Sequence, residues 1–255
     1  MSIKFFQNNK GYKIIDFLNN KESNEILNKI IQQINKSQKK ILFSKKNLKF
    51  LHKKEINSLD YNKIIDPKNR KIKININKFN LKIKKTNILQ LIKSYWGHKD
   101  IKIVWVGSAK KKQIKNNEAG FRIARPGVNS DAALEHIDLY NKDDKSFLTL
   151  WIPLIGFSNK YSLKLYPGTH KMIHNLKNFE EKTRYISRIF KKKYFTKFRS
   201  VRPNLKKGQA IIFHPNMIHG GSVNNGKWTR ISIEIRIFNN KKFNLKKTFD
   251  KKLVN

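Results

Sequence analysis

The sequence predicts a mainly β chain: an all-β jelly roll with helices on its outside. Three observations lead there. Six segments from residue 101 onward, IKIVWV, GFRIAR, FLTLWIPL, YSLKLY, QAIIF and RISIEIRIF, are short, rich in β-branched or aromatic residues, and separated by Gly, Pro or Asn. That pattern marks strands between turns. Helical periodicity belongs mostly to the part before residue 101 and returns only around 180–197. Helices first and then a run of strands fits a β core with helices packed against it. No internal repeat or linker splits the chain, so the expectation is a single domain over 1–255. Within it, 1–100 would supply a lead-in and outer helices, 101–240 the jelly-roll core, and 241–255 a basic tail.

Taken in order, residues 11–17, GYKIIDF, read as a short strand or extended lead-in. Asn20 or Ser23 is placed to cap the helix that follows, where Ile26, Leu27, Ile30, Ile31 and Ile34 recur at helical spacing opposite lysines and glutamines. Residues 37–85 are lysine-rich and irregular, helix plus loop, with strand-like alternation at 71–76. His52, alone among lysines, reads as a solvated histidine. A short helix is expected over 87–95.

Composition excludes several functions. There is no cysteine, which removes disulfide scaffolds, thiolate-bound zinc and iron–sulfur clusters. The first residues lack an apolar stretch followed by a cleavage site, and no run approaches a membrane span, so a soluble cytoplasmic protein is expected. Fifty-seven Lys+Arg against 17 Asp+Glu give a net charge of +40. Clustered basic residues bind phosphates by releasing counterions. Here, however, lysine is mixed with Asn and Ile from end to end, as AT-rich codons would produce, so no specific nucleic-acid partner is expected. A polyanion-binding protein using this charge, or a non-catalytic jelly-roll binding protein, are the rival readings.

The chemistry lies in two segments. In AALEHIDLY, His136 and Asp138 point the same way if the chain is extended, because strand side chains alternate. In FHPNMIHGGSVNNGKWTRISIEIR, His219 sits in a turn before a strand that opens with Arg230. Two histidines and one carboxylate suit one face of a six-coordinate Fe(II), leaving three positions for oxygen and a chelating co-substrate. A lone His-X-Asp is common by chance. Joined to a later histidine and a strand arginine, it is far more specific.

Several segments, in order, resemble the phytanoyl-CoA dioxygenase-like branch of the Fe(II)/2-oxoglutarate oxygenases. They are NNKGYKIIDF with its helix, HIDLY, SLKLYPGTHK, and KKGQAIIFHPNMIHGG followed by RISIEIRI. These pieces span most of residues 8–238, with 37–115 poorly covered. The resemblance implies a double-stranded β-helix, cupin-like core and an Fe(II) site with O2 and 2-oxoglutarate as co-substrates. It implies His136, Asp138 and His219 as iron ligands, Arg230 as the anchor of the distal 2-oxoglutarate carboxylate, and Trp151 as a wall of the co-substrate pocket. A guanidinium fits that carboxylate with two parallel donors. The family often has a serine two residues after the distal histidine; here the residue is Gly221, with Ser222 or Thr229 as substitutes. Related halogenases lack the carboxylate ligand, so Asp138 implies hydroxylation.

The other histidines read as structural. His214 is a turn residue pointing from the metal, His170 belongs to a structural PGTH turn, and His98 and His174 lie at the surface. In the last strand Arg230, Ser232, Glu234 and Arg236 share one face, and Ile231, Ile233, Ile235 and Ile237 the other. If Arg230 faces the pocket, the polar set does too. Arg122 and Arg125 have opposite parity, so only one is expected to reach it. Arg122, Arg125 and Arg236 are the candidate substrate-binding cations, and they suggest a small polar or anionic metabolite, with a carbohydrate or secondary-metabolite intermediate favoured. Residues 37–85 or 141–145 are the expected covering segments.

Overall fold

The computed structural model describes residues 10–37, 44–53, 71–75, 86–105, 118–138, 147–171, 197–220 and 222–242. Its frame is a seven-stranded antiparallel sheet of β1 (Tyr12–Asp16), β2 (Lys71–Asn75), β3 (Ile101–Trp105), β4 (Glu118–Ala124), β5 (Phe147–Ile155), β6 (Gln209–Phe213) and β7 (Arg230–Asn239). The order is β1-β6-β5-β7-β4-β2, with β3 pairing beside β7. Thus β1 and β2, from the first hundred residues, join the same sheet as the later strands.

Each face of the sheet meets a different layer, and the alternation of the strands decides which. On one side Leu148, Leu150 and Ile152 of β5, Ile212 of β6, and Ile231, Ile233, Ile235 and Ile237 of β7 are buried against helices α1 (Asn20–Ser37) and α3 (Thr86–Trp96). The helices contribute Ile26, Leu27, Ile30, Ile31, Ile88, Leu91 and Ile92. The short helix α2 (Lys45–Leu48) adds Leu48. Fully burying one such aliphatic side chain stabilises the fold by about 1.5–3 kcal/mol, so this layer is the main apolar core.

The opposite face carries Trp151, Ile211 and Phe213, packed with Leu165, Leu205 and Met217. Here the second layer is built from single-residue pairings, Leu165 with Val201, Leu165 with His219, and His136 with His219. The expected strand YSLKLY is therefore not a strand: only Leu165 bridges. A turn closes on Tyr161, whose amide donates to the Ser158 carbonyl at 2.9 Å, and Pro167 and Gly168 follow on the other side.

The start of α1 also differs from expectation. Its cap is Asn19: Glu22 N donates to Asn19 Oδ1 and Asn19 N to Glu22 Oε2, both at 2.8 Å. This reciprocal capping box satisfies two amides that a helix start leaves open. Gly97, at φ +78°, ends α3 with its amide on the Lys93 carbonyl. The expected helix over 180–197 falls almost wholly outside the described residues, as do His174, the loop 141–145, Gly221 and the tail beyond 242. No helix among the described residues is long and apolar enough to cross a membrane.

Candidate metal centre

The second layer brings His136 and His219 together through their backbones. His136 N donates to the His219 carbonyl at 2.8 Å and His219 N to the His136 carbonyl at 2.9 Å. Residues so paired on antiparallel chains project side chains to the same face, and the two imidazole centroids are 4.3 Å apart. Asp138 lies one side-chain repeat further on, fixed by its amide on the Pro215 carbonyl at 2.8 Å. Gly220 makes the approach possible. Its φ is +113°, and a Cβ there would collide with the Leu134 carbonyl oxygen, so the chain needs glycine immediately after His219.

Both rings are oriented by carbonyls. His136 Nδ1 lies 2.6 Å from the Leu134 oxygen and His219 Nδ1 3.0 Å from the Met217 oxygen. A carbonyl only accepts, so each Nδ1 carries the proton and each Nε2 presents its lone pair. Those Nε2 atoms converge on Asp138, at 3.8 Å from Oδ1 for His136 and 3.5 Å from Oδ2 for His219. One ligand atom from each of the three residues lies within 4.8 Å of the others, and all three side chains are buried. Two imidazole nitrogens and a carboxylate, all buried, form a donor set for a borderline divalent ion such as Fe(II).

Around the carboxylate is a second ring of contacts that sequence reading missed. Thr149 Oγ1 donates to Asp138 Oδ2 at 3.0 Å, and Arg236 Nη2 pairs with Asp138 Oδ1 at 2.7 Å. Arg236 Nη1 also reaches Thr149 Oγ1 at 3.0 Å and Glu234 Oε1 at 2.5 Å. Asp138 itself has no exposed surface, so these contacts are what stabilise its charge in the absence of metal. The shared face of Arg236 with Arg230 on the last strand was the available signal; the pairing across strands was not visible.

Arg230 opens β7 with its side chain buried. Its Nη1 donates to the Tyr161 carbonyl at 3.1 Å, its Cζ stands 5.8 Å from the centre of the Trp151 ring, and its Nε is buried without a partner. Burial, then the neighbouring Arg122 and Arg202 charges, lower its pKa to about 9. Asp131 and Glu234 act in the opposite sense, but among the described residues no carboxylate is in contact with this guanidinium, so it has the chemistry to take an anion.

The remaining candidates divide. Arg125 is held by Asp131 through Nε and Nη2, both at 2.9 Å, and so serves the loop rather than the cavity. Arg236 is engaged at Asp138. Arg122 stands opposite Ser232 in the β4–β7 register, with its Nε buried and unpartnered. Ser222 is buried, while the Thr229 hydroxyl lies 3.0 Å from His52 Nδ1. His52 is therefore half-buried and hydrogen-bonded, not solvated: Lys49 O accepts the Thr229 amide at 2.8 Å and brings the segment against β7. His214 Nδ1 accepts from the Asn216 amide at 3.1 Å, a turn contact as expected, and His170 packs beside it at 5.5 Å. His98 stacks on Trp96 and its Nδ1 accepts the Asp100 amide.

A family model described as phytanoyl-CoA dioxygenase (PhyH) matches residues 12–232. Among solved structures, the chain is similar to the non-heme alpha ketoglutarate dependent carbocyclase SnoK from nogalamycin biosynthesis, at 13% identity over 92% of this chain and 82% of that one, with a TM-score of 0.58. It is similar to EctD from S. alaskensis with 2-oxoglutarate and 5-hydroxyectoine, at 15% identity over 93% and 76%, TM-score 0.57. It is also similar to AviO1 from Streptomyces viridochromogenes Tue57, at 12% identity over 91% and 90%, TM-score 0.52. At such identities the likeness establishes the shared jelly-roll fold. No curated protein sequence matches.

Proposed function

The chain belongs to the phytanoyl-CoA dioxygenase family, and from that premise we propose that it is a non-haem Fe(II)/2-oxoglutarate-dependent dioxygenase that hydroxylates a C–H bond of a small polar metabolite. One observation carries the reading: a buried His-Asp-His donor set lies over the sheet face that carries a buried arginine whose Nε has no hydrogen-bond partner. The residues fit the groups they would hold. His136 and His219 offer Nε2 lone pairs, Asp138 offers the charge, and Arg230 lacks the carboxylate that 2-oxoglutarate would bring. When bound, iron and 2-oxoglutarate together supply the oxidising chemistry, with O2 as oxidant and the keto acid leaving as succinate and carbon dioxide.

The chain's own residues have separable tasks. The Leu134 and Met217 carbonyls hold the two imidazoles in the metal-binding tautomer. Thr149 and Arg236 hold the Asp138 carboxylate in place. Arg230, backed by Trp151, fixes the far end of the co-substrate and thereby its keto-acid end. Burial of these groups excludes water from the reacting centre.

The polar face of β7 favours a polar substrate over a bare lipid chain, of the carbohydrate or secondary-metabolite kind. The protein is read as one cytoplasmic oxygenase domain over 1–255, with 101–240 carrying most of the core. The test is Fe(II)-dependent conversion of 2-oxoglutarate to succinate under air. The wild type should show slow turnover even without substrate, and Asp138→Ala should abolish it. Metal-independent or absent succinate formation by the wild type would refute the reading.

A further inference from the structure

The buried and half-buried arginines around the site can be matched one by one to their partners. Arg125 has Asp131, and Arg236 has Asp138 and Glu234. Arg202 rests on the carbonyls of Ser162 and Lys160, at 3.2 and 2.7 Å. Arg230 would take the distal carboxylate of 2-oxoglutarate. Among the described residues Arg122 is left over: its Nε is buried and unpartnered.

Two further facts say what Arg122 faces. It is paired across the sheet with Ser232, whose hydroxyl is also buried without a partner, and whose exposure is only 1%. Opposed residues share a face, and Ser232 lies on the Arg230 side of β7. Arg122 is also close enough to Arg230 for its charge to lower the Arg230 pKa. Ser232 is two residues along β7, about 7 Å from Arg230, and Arg122 is a further strand spacing of about 5 Å to the β4 side. Ser232 thus lies on β7 between Arg230 and Arg236, and Arg122 stands on its β4 side.

The geometry points to an anion subsite formed by Arg122 and Ser232, which anchors an oxyanion of the substrate, a carboxylate or phosphate monoester, next to the co-substrate. The assignment rests on the oxygenase reading and narrows its substrate to an anionic metabolite. The guanidinium supplies parallel N–H donors and the hydroxyl a third, the pattern that a planar or tetrahedral oxyanion accepts. Without such a guest, two buried polar groups stay unsatisfied, a state that folded proteins avoid.

The test uses protein loaded anaerobically with Fe(II) and 2-oxoglutarate. It is titrated by calorimetry with inorganic phosphate and, separately, acetate, in about 0.15 M NaCl to screen the diffuse charge of the surface. The weak visible band of the iron-bound keto acid is followed in parallel. One anion should bind per chain with that band intact, and the tighter of phosphate and acetate identifies the class. Arg122→Gln should weaken binding at least tenfold and Ser232→Ala severalfold. Arg122→Lys, which keeps the charge, should recover most of it, and it stands in if Arg122→Gln does not fold. In all three variants the 2-oxoglutarate titration should stay within about twofold of wild type. Unchanged anion binding in the variants would overturn the subsite. So would an equal loss of 2-oxoglutarate and anion affinity, which would assign Arg122 to the co-substrate. If the wild type forms no band, the oxygenase reading fails instead, and the same anion titrations without 2-oxoglutarate still decide Arg122.

Discussion

Replacing Arg236 with methionine should destabilise the metal-free protein more than the metal-loaded one. In the wild type the guanidinium sits 2.7 Å from the Asp138 carboxylate, and neither side chain is more than 3% exposed. Removing one partner of a buried ion pair leaves the other uncompensated, at a cost of about 3–5 kcal/mol. Thr149 still donates to Asp138 Oδ2, so the lower half of that range is expected. In a chain of this size about 3–4 kcal/mol corresponds to a drop in Tm of roughly 6–15 °C. A divalent ion at the His136–Asp138–His219 centre would neutralise the same carboxylate. The loaded variant then loses only the charge-assisted contacts of the arginine, about 1.5–3 kcal/mol. The difference, on the order of 1–2 kcal/mol, makes the variant bind Fe(II) roughly tenfold more tightly once folded. Anaerobic thermal unfolding with and without saturating Fe(II) reads both losses. Equal drops in Tm in the two states would refute the reasoning, since they would mean that Arg236 and the metal do not act on the same charge.

Two other outcomes follow from the site. The Arg230 pKa is lowered to about 9 by burial and by Arg122 and Arg202, and a carboxylate binds only the charged form. The affinity for 2-oxoglutarate should therefore be flat below about pH 9 and fall about tenfold per pH unit above it, as measured by anaerobic titration across pH 7–10.5; a flat profile through pH 10.5 would mean that the buried guanidinium keeps its proton. Gly220→Ala should cost about 1–3 kcal/mol of stability, because φ is +113° and the new methyl group meets the Leu134 carbonyl. It should also weaken metal binding, since that carbonyl orients His136. A variant with wild-type Tm and metal affinity would contradict the turn geometry.

Much of this was legible in the sequence wherever a period of two applied. The alternation in RISIEIRIF separated the isoleucines under the helices from Arg230, Ser232, Glu234 and Arg236, and His136-X-Asp138 placed two ligands on one side. What was not legible depended on contacts between distant segments. The backbone pairing of His136 with His219, the Thr149 and Arg236 contacts to Asp138, and the engagement of Arg125 by Asp131 are set by strand register. Parity alone could say that one of Arg122 and Arg125 reaches the cavity, but not that Asp131 would hold the other. The second layer misled for a related reason. YSLKLY has strand composition, yet its neighbours meet it one residue at a time, so composition overstated the strand. Asn19 was missed although Asn-x-x-Glu was present, because Asn20 and Ser23 competed as caps. His52 looked solvated because its hydrogen-bond partner Thr229 lies at the far end of the chain.

In the proposed site, His136, Asp138 and His219 hold an iron to which 2-oxoglutarate binds with its far end on Arg230. The most direct measurement is anaerobic titration of the protein with Fe(II) and 2-oxoglutarate, monitored in the visible region. The wild type should show a weak charge-transfer band that saturates at one iron per chain, is absent from His219→Ala, and requires much higher 2-oxoglutarate in Arg230→Gln. A wild-type protein that forms no band, or a band that survives His219→Ala, would contradict it.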